Sequence, residues 1–141
     1  MIKVCIISCG MIANSAHIPA YRTFGNDFFI SAVSDINENS ARETAKRHGI
    51  PNFYVNAEEM LEKEELDALH ICTPHYMHVP MAEAALAKGL AVFTEKPPAI
   101  SWEQWKRFSG LEKKGFLSVC FQNRYIDAAK KLKSMVDSGE T

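Results

Sequence analysis

Apolar residues along the chain fall into six short runs, separated by segments whose apolar positions recur at helical spacing. The runs are Lys3-Val4-Cys5-Ile6-Ile7, Phe28-Phe29-Ile30-Ser31-Ala32-Val33, Phe53-Tyr54-Val55, residues 68–72, Leu90-Ala91-Val92-Phe93 and residues 116–121. Runs this short and this continuously apolar predict strands buried on both faces, with residues 53–55 as a short edge strand. The intervening segments predict helices. The first covers residues 11–23, kinked or restarted at Pro19, and the second covers 37–48, closed by Gly49 and followed by Pro51. An acidic helix over 57–66 carries Met60, Leu61 and Leu66, and one over 79–88 tolerates Pro80 in its first turn and stops at Gly89. Ser101 caps a helix with Trp102, Trp105, Phe108 and Leu111 on one face. A basic helix over 126–136 closes the chain, with Ala129, Leu132, Met135 and Val136 on its apolar side. Strict alternation of strand and helix predicts an α/β, doubly wound, mostly parallel sheet with helices on both faces. A chain of 141 residues without linkers or repeats predicts one domain over 1–141.

The first strand leads into Ser8-Cys9-Gly10-Met11-Ile12-Ala13. This is a variant of the Gly-x-Gly-x-x-Gly/Ala dinucleotide fingerprint, with serine in place of the first glycine. Such a turn must bend sharply, let the backbone approach a pyrophosphate, and open a helix whose N–H groups and dipole face the anion. Gly10 stands where close approach matters most, and Ala13 permits tight helix–strand packing. Ser8 must adopt a backbone conformation that glycine adopts more easily. The second strand ends at Ser34-Asp35. Asp35 lies 35 − 10 = 25 positions after Gly10, near the offset expected for a ribose-binding acid. A carboxylate there accepts from ribose hydroxyls and repels a 2′-phosphate, which favours NAD over NADP. The same residue could instead serve as the cap of the helix that follows.

The fifth run ends in Thr94-Glu95-Lys96-Pro97-Pro98, an acid and an amine locked against a proline at the carboxyl edge of the sheet, where ligands bind in open α/β folds. An ammonium there can polarise a carbonyl or stabilise an alkoxide, and Glu95 can position it. The alternative is a solvated turn. Thr73-Pro74-His75 and Asn123-Arg124 follow other strands and reach the same edge. Arg124 could instead pair with helix charges. His75 and His78 are three apart, a spacing open to metal ligation, but no further donor stands at a matching offset, and no metal site is assigned. His17 reads as a packing or capping histidine. Trp102 and Trp105 read as core or domain packing.

These blocks, in this order, resemble the N-terminal domain of the Gfo/Idh/MocA oxidoreductases. The resemblance rests on Ile6 to Ala13, His17-Ile18-Pro19-Ala20, Val33-Ser34-Asp35, Asp67 to Pro74 with His78, Glu95-Lys96-Pro97 and Asn123-Arg124-Tyr125. It implies a Rossmann sheet binding a dinucleotide through Ser8, Gly10, Met11, Ile12, Asp35, Thr73, Pro74, His78, Glu95, Lys96, Pro97, Asn123 and Arg124. It implies that Lys96 is catalytic and reaches the nicotinamide and the substrate's reacting oxygen, and that Lys96-Pro97 bends in the cis form. The implied activity is NAD-dependent hydride transfer at a hydroxyl carbon of a sugar, polyol or related metabolite. The alternative in another class is a non-catalytic dinucleotide sensor or regulatory module of the same fold. Departures are Ser8 for glycine, His75 for asparagine and Asp127 for proline. The family's usual second α/β domain, which supplies substrate contacts, is not within these residues, so residues 124–141 are expected to form the connecting helix. A small-molecule substrate is therefore expected only where a second domain is supplied.

Composition narrows the partners. Hydrophobic residues make up 47%, enough for a sizeable core, and the formal net charge is −1, which gives no footprint for nucleic acid or anionic membrane. No apolar stretch approaches the length of a membrane span. The chain runs directly into a strand without signal-peptide features, and Cys5, Cys9, Cys72 and Cys120 form no Cys-x-x-Cys pair. Reduced thiols in a cytoplasmic protein are the expectation. Cys9, inside the phosphate turn at a helix start, is expected to be reactive and shielded by bound NAD. An apolar surface left uncovered would favour weak self-association.

Overall fold

Strands β1 (Ile2–Ile7), β2 (Phe28–Ser34), β3 (Asn52–Tyr54), β4 (Ala68–Ile71), β5 (Ala91–Thr94) and β6 (Leu117–Val119) form one sheet in the order β3-β2-β1-β4-β5-β6. Every neighbouring pair is parallel. The computed structural model describes residues 1–140. The chain starts mid-sheet, winds outward to β3, crosses back beside β1 and winds the other way. Because each crossover is right-handed, the two directions place their helices on opposite faces. Helices α1 (Ile18–Arg22) and α2 (Glu38–His48) take one face; α3 (Ala57–Lys63), α4 (His78–Ala87) and α5 (Trp102–Ser109) take the other. The expected doubly wound sheet is present, and its winding reverses between β1 and β4.

Two cores result. On the α1–α2 face Val4, Ile6, Val33, Ala13, Ile18 and Ala41 pack together. On the other face Ile7, Leu69, Ile71, Val92, Met60 and Val79 do so. Local chemistry sets the helix ends. Asn37 caps α2 by accepting from the Ser40 N–H at 3.1 Å, and Gly49 closes it in the left-handed region at φ 60°. Asn56 caps α3, and Ser101 caps α5 as expected. The acidic helix is shorter than its pattern suggests. Tyr54 Oη donates to Glu64 Oε1 at 2.8 Å and Asn52 Nδ2 at 3.0 Å, and Glu64 is extended at ψ 133°. Those bonds draw Glu64 toward β3, so the helix ends at Lys63.

The first helix also differs from expectation. Residues Ala13–His17 form a π turn before α1 begins, so the irregularity precedes Pro19. The closing helix α6 (Asp127–Ser138) buries none of its residues, and Leu132 and Val136 remain exposed. Trp102 lies largely in solvent and Trp105 is partly exposed but stacks on Phe108, which joins the core with Leu111.

The returning crossovers all pass over the α3–α5 face, so among the described residues no helix lies across β4, β5 and β6 on the α1 side, where His17 and Tyr21 reach only as far as His70 and Phe93. A cavity of about 840 Å³ lies there, lined by Tyr21, Phe24, Phe28, His70, Phe93 and Phe116 among others. It opens along the amino-terminal half of the strands, away from the edge where ligands bind in such sheets.

Candidate functional site

The carboxyl ends of β1, β2, β4 and β5 gather the residues singled out above. Ser8 sits at φ 76°, the left-handed conformation that glycine would take without strain, so its serine accepts a local cost to make the turn. Gly10 is exposed, and a Cβ added to it would meet only Ser8 Oγ, at 3.8 Å. Neither packing nor a positive φ requires glycine at this position. What the missing side chain leaves is open room over the turn.

Asp35 is tied to that turn. Its Oδ2 accepts from the Cys9 N–H at 2.8 Å and its Oδ1 from the Asn37 N–H at 2.9 Å. The cap of α2 is Asn37, so Asp35 is free of that role and presents a half-buried carboxylate beside the phosphate turn. Ile36, next to it, is 98% exposed. Asn14 braces the turn from behind. Its amide donates to the Cys9 carbonyl at 2.7 Å, and its Oδ1 accepts from the Thr44 hydroxyl at 3.3 Å and His48 Nε2 at 3.0 Å. Sequence reading passed over Asn14, because its partners lie about 30 positions away on α2.

After β4, Thr73 and Pro74 border the same edge. Thr73 Oγ1 is buried without a hydrogen-bond partner among the described residues. His78 is fully buried; its Nδ1 lies 2.8 Å from the Pro97 carbonyl and its Nε2 2.9 Å from the Thr73 carbonyl. The ring therefore clasps the two loops together from beneath, and neither nitrogen faces solvent. This also removes His78 from any metal pairing with the exposed His75.

Glu95 does less for Lys96 than expected. Its Oε1 lies 2.6 Å from His17 Nε2, and its Oε2 accepts the Lys96 backbone N–H at 3.1 Å. The Lys96 ammonium stands 3.8 Å from that carboxylate and is 45% exposed, so it reaches outward. Burial works to raise the Glu95 carboxyl, but the hydrogen bonds from His17 and the Lys96 N–H, with the charge on His17, hold it below the usual range. The expectation that His17 merely packs is thus replaced by a buried acid–histidine pair. It joins residues 78 positions apart, which no local pattern reveals. Lys96-Pro97 is cis. Lys96, Asn123 and Arg124 line one cleft of about 640 Å³ with Phe121 and Gln122. Arg124 makes no salt bridge among the described residues.

Cys9 contradicts its reading. The thiol is buried, its Sγ lies 3.8 Å from the Ser34 carbonyl, and burial pushes its pKa up to about 11. The desolvation of the core outweighs the helix start. Behind it, burial and the neighbouring His17 push the His70 imidazole down to about 3.

Three features together suit a dinucleotide: an open cradle at Gly10, an acid at Asp35 and an unsatisfied hydroxyl at Thr73. Comparison with known proteins agrees. Residues 2–121 match the family described as an oxidoreductase family with an NAD-binding Rossmann fold, GFO_IDH_MocA. The chain is 29% identical to D-glucoside 3-dehydrogenase of Escherichia coli (strain K12), over 98% of this chain and 40% of that enzyme. It is also 29% identical to inositol 2-dehydrogenase of Klebsiella pneumoniae (strain 342), over 99% of this chain and 42% of that enzyme. Among solved structures, an oxidoreductase from Thermotoga maritima matches with a TM-score of 0.92 at 33% identity, covering 99% of this chain and 44% of that one. The WlbA dehydrogenase from Bordetella pertussis, solved with NADH and UDP-GlcNAcA, matches with a TM-score of 0.90 at 27% identity, over 98% of this chain and 42% of that one. The chain thus spans about two fifths of the length of the curated relatives it matches.

Proposed function

The chain belongs to the Gfo/Idh/MocA oxidoreductase family, and from that premise we propose that it is the cofactor-binding part of an NAD-dependent dehydrogenase acting on a hydroxyl carbon of a sugar, polyol or related metabolite. The single observation that carries the reading is the placement of Gly10, Asp35 and Lys96 along one carboxyl edge. Relatives named for a glucoside and for inositol support the substrate class. The sensor alternative draws no support from them.

Each residue then has a task. Gly10, Met11 and Ile12 offer backbone N–H groups and open room to a pyrophosphate, while Ser8, whose own N–H donates to the Ser34 carbonyl at 2.7 Å, shapes the turn. Asp35 accepts from the ribose hydroxyls and disfavours a 2′-phosphate, so NAD is preferred over NADP. Thr73 and Pro74 border the dinucleotide, and His78 fixes the loop that carries Pro97. When bound, the dinucleotide supplies the acceptor or donor of hydride. The Lys96 ammonium stabilises negative charge on the substrate oxygen, Glu95 anchors the backbone beside it, and Asn123 with Arg124 forms the facing side of the cleft.

That cleft is open on its outer side, whereas turnover needs the reacting carbon held in place, an effect worth roughly 7–11 kcal/mol, and water excluded. The isolated 141-residue chain is therefore expected to bind NAD while dehydrogenase activity with a panel of sugars and polyols stays at background. Robust substrate-dependent NADH formation by the homogeneous chain would show that the constellation is already complete and overturn this division of labour.

A further inference from the structure

We infer that His17, His70 and Cys72 form a binding site for a single zinc-class divalent cation, set beneath the dinucleotide edge and separate from it. One ligand atom from each of the three lies within 4.8 Å of the others, and all three residues are buried. β4 supplies His70, and Cys72 follows it two positions on, so both side chains point to the α1 face of the sheet. His17 descends onto them from the π turn, its ring centroid 4.2 Å from that of His70. Such turns frequently mark functional positions in helices.

Each histidine is held the way metal-ligating histidines are held, by an outer partner on one nitrogen. Glu95 Oε1 takes one nitrogen of His17 at 2.6 Å, and the Tyr21 hydroxyl lies 3.1 Å from Nδ1 of His70. One nitrogen is left on each ring. On His70 it is Nε2, which is buried and has no hydrogen-bond partner among the described residues, in a side chain only 1% exposed. A buried nitrogen without a partner is an uncompensated cost in a purely packed core. A cation would satisfy it.

Two imidazoles and a thiol suit zinc in preference to magnesium or calcium, which favour oxygen donors. Tetrahedral zinc with bonds of about 2.0–2.3 Å sets its ligand atoms about 3.3–3.8 Å apart, inside the 4.8 Å within which all three atoms already lie. Binding converts the Cys72 thiol to a thiolate and the charged His17 ring to a neutral ligand that keeps its N–H toward Glu95, and both protons pass to solvent. That thiolate and the Glu95 carboxylate balance the two positive charges. Water reaching in from the cavity lined by His17 and His70 can take the fourth position.

The test uses the 141-residue chain stripped of metal with a chelator and titrated with cobalt(II). One equivalent should bind, giving a sulfur-to-cobalt charge-transfer band and visible bands of tetrahedral intensity, and zinc should displace it. Cys72→Ser should abolish the charge-transfer band, and His70→Leu should lower affinity at least about tenfold. Cys120→Ser and Cys5→Ser should leave the band in place. X-ray absorption of the zinc-loaded unmodified chain, which is independent of any variant's folding, should count one sulfur and two imidazoles. Absence of stoichiometric binding, a shell of oxygen and nitrogen alone, or a band lost in Cys120→Ser but kept in Cys72→Ser would overturn the inference.

Discussion

Gly10 is the residue at which structure and ligand separate most cleanly. Its surroundings would accept a Cβ, so Gly10→Val should shift unfolding free energy by no more than about 0.5 kcal/mol. The same change fills the room over the turn, and NAD affinity measured by calorimetry should fall at least about tenfold, or 1.4 kcal/mol. A variant that binds normally would place the pyrophosphate elsewhere. Cys9 gives a second prediction. A thiol raised to about 11 carries little thiolate at neutral pH, and the thiolate is the nucleophile. Alkylation of Cys9 in the folded chain, followed by mass spectrometry, should be slow without any dinucleotide and should quicken as pH climbs toward that value. Rapid labelling at neutral pH would contradict its burial. At this scale the sequence revealed residues whose chemistry is announced by a strand end. Asp35 and Lys96 each follow an apolar run, and both stand at the edge. It concealed those whose role depends on a distant partner. His17 meets Glu95, and Asn14 meets Thr44 and His48, only because the sheet brings remote segments together.

At the scale of elements, the apolar runs located all six strands, because buried parallel strands have no polar alternation to obscure them. Helix ends were legible where a cap side chain or glycine stood, as at Gly49 and Ser101, whereas the cap of α2 is Asn37 and not the Asp35 that the sequence offered. They were not legible where tertiary bonds intervened, as when Tyr54 and Asn52 draw Glu64 off α3. The π turn before α1 has no pattern of its own. Helix α6 shows the opposite case, a strongly amphipathic pattern that the fold leaves uncovered. Its 12 residues have no side-chain cap and bury nothing, and a helix of that length is marginal without packing. Amide exchange in α6 should therefore be much faster than in β1 or β4, as read by hydrogen–deuterium exchange. Leu132→Glu should cost under about 0.5 kcal/mol in the isolated chain. The same substitution should lessen weak self-association in sedimentation velocity at high concentration, since Leu132 and Val136 are exposed. Protection of α6 equal to that of β1 would mean that its apolar face is covered.

Viewed whole, the described molecule is asymmetric: one face of the sheet is covered along its length, and the other is covered over β1 and its neighbours on the β3 side, with His17 and Tyr21 alone reaching across to His70 of β4 and Phe93 of β5. The asymmetry follows from right-handed winding and was implicit in the element order, yet the resulting cavity of about 840 Å³ was not legible, because no residue type marks an uncovered face. Winding also fixes where the chemistry lies, since both halves of the sheet point their carboxyl ends at the reversal between β1 and β4. Gly10, Asp35, Thr73 and Lys96 come from different strand ends and meet there only as a consequence of topology. On the proposed function this edge binds NAD, and Asp35 sets the preference over NADP. The most direct measurement is calorimetric titration of the chain with NADH and with NADPH, repeated on Asp35→Ala. Saturable one-to-one binding is expected, with NADH tighter than NADPH by roughly ten- to hundredfold, from about 1.5–3 kcal/mol for hydrogen bonds to a charged acceptor, and a gap that narrows in the variant. Equal affinity for the two dinucleotides, or no saturable binding of either by a folded chain, would contradict it.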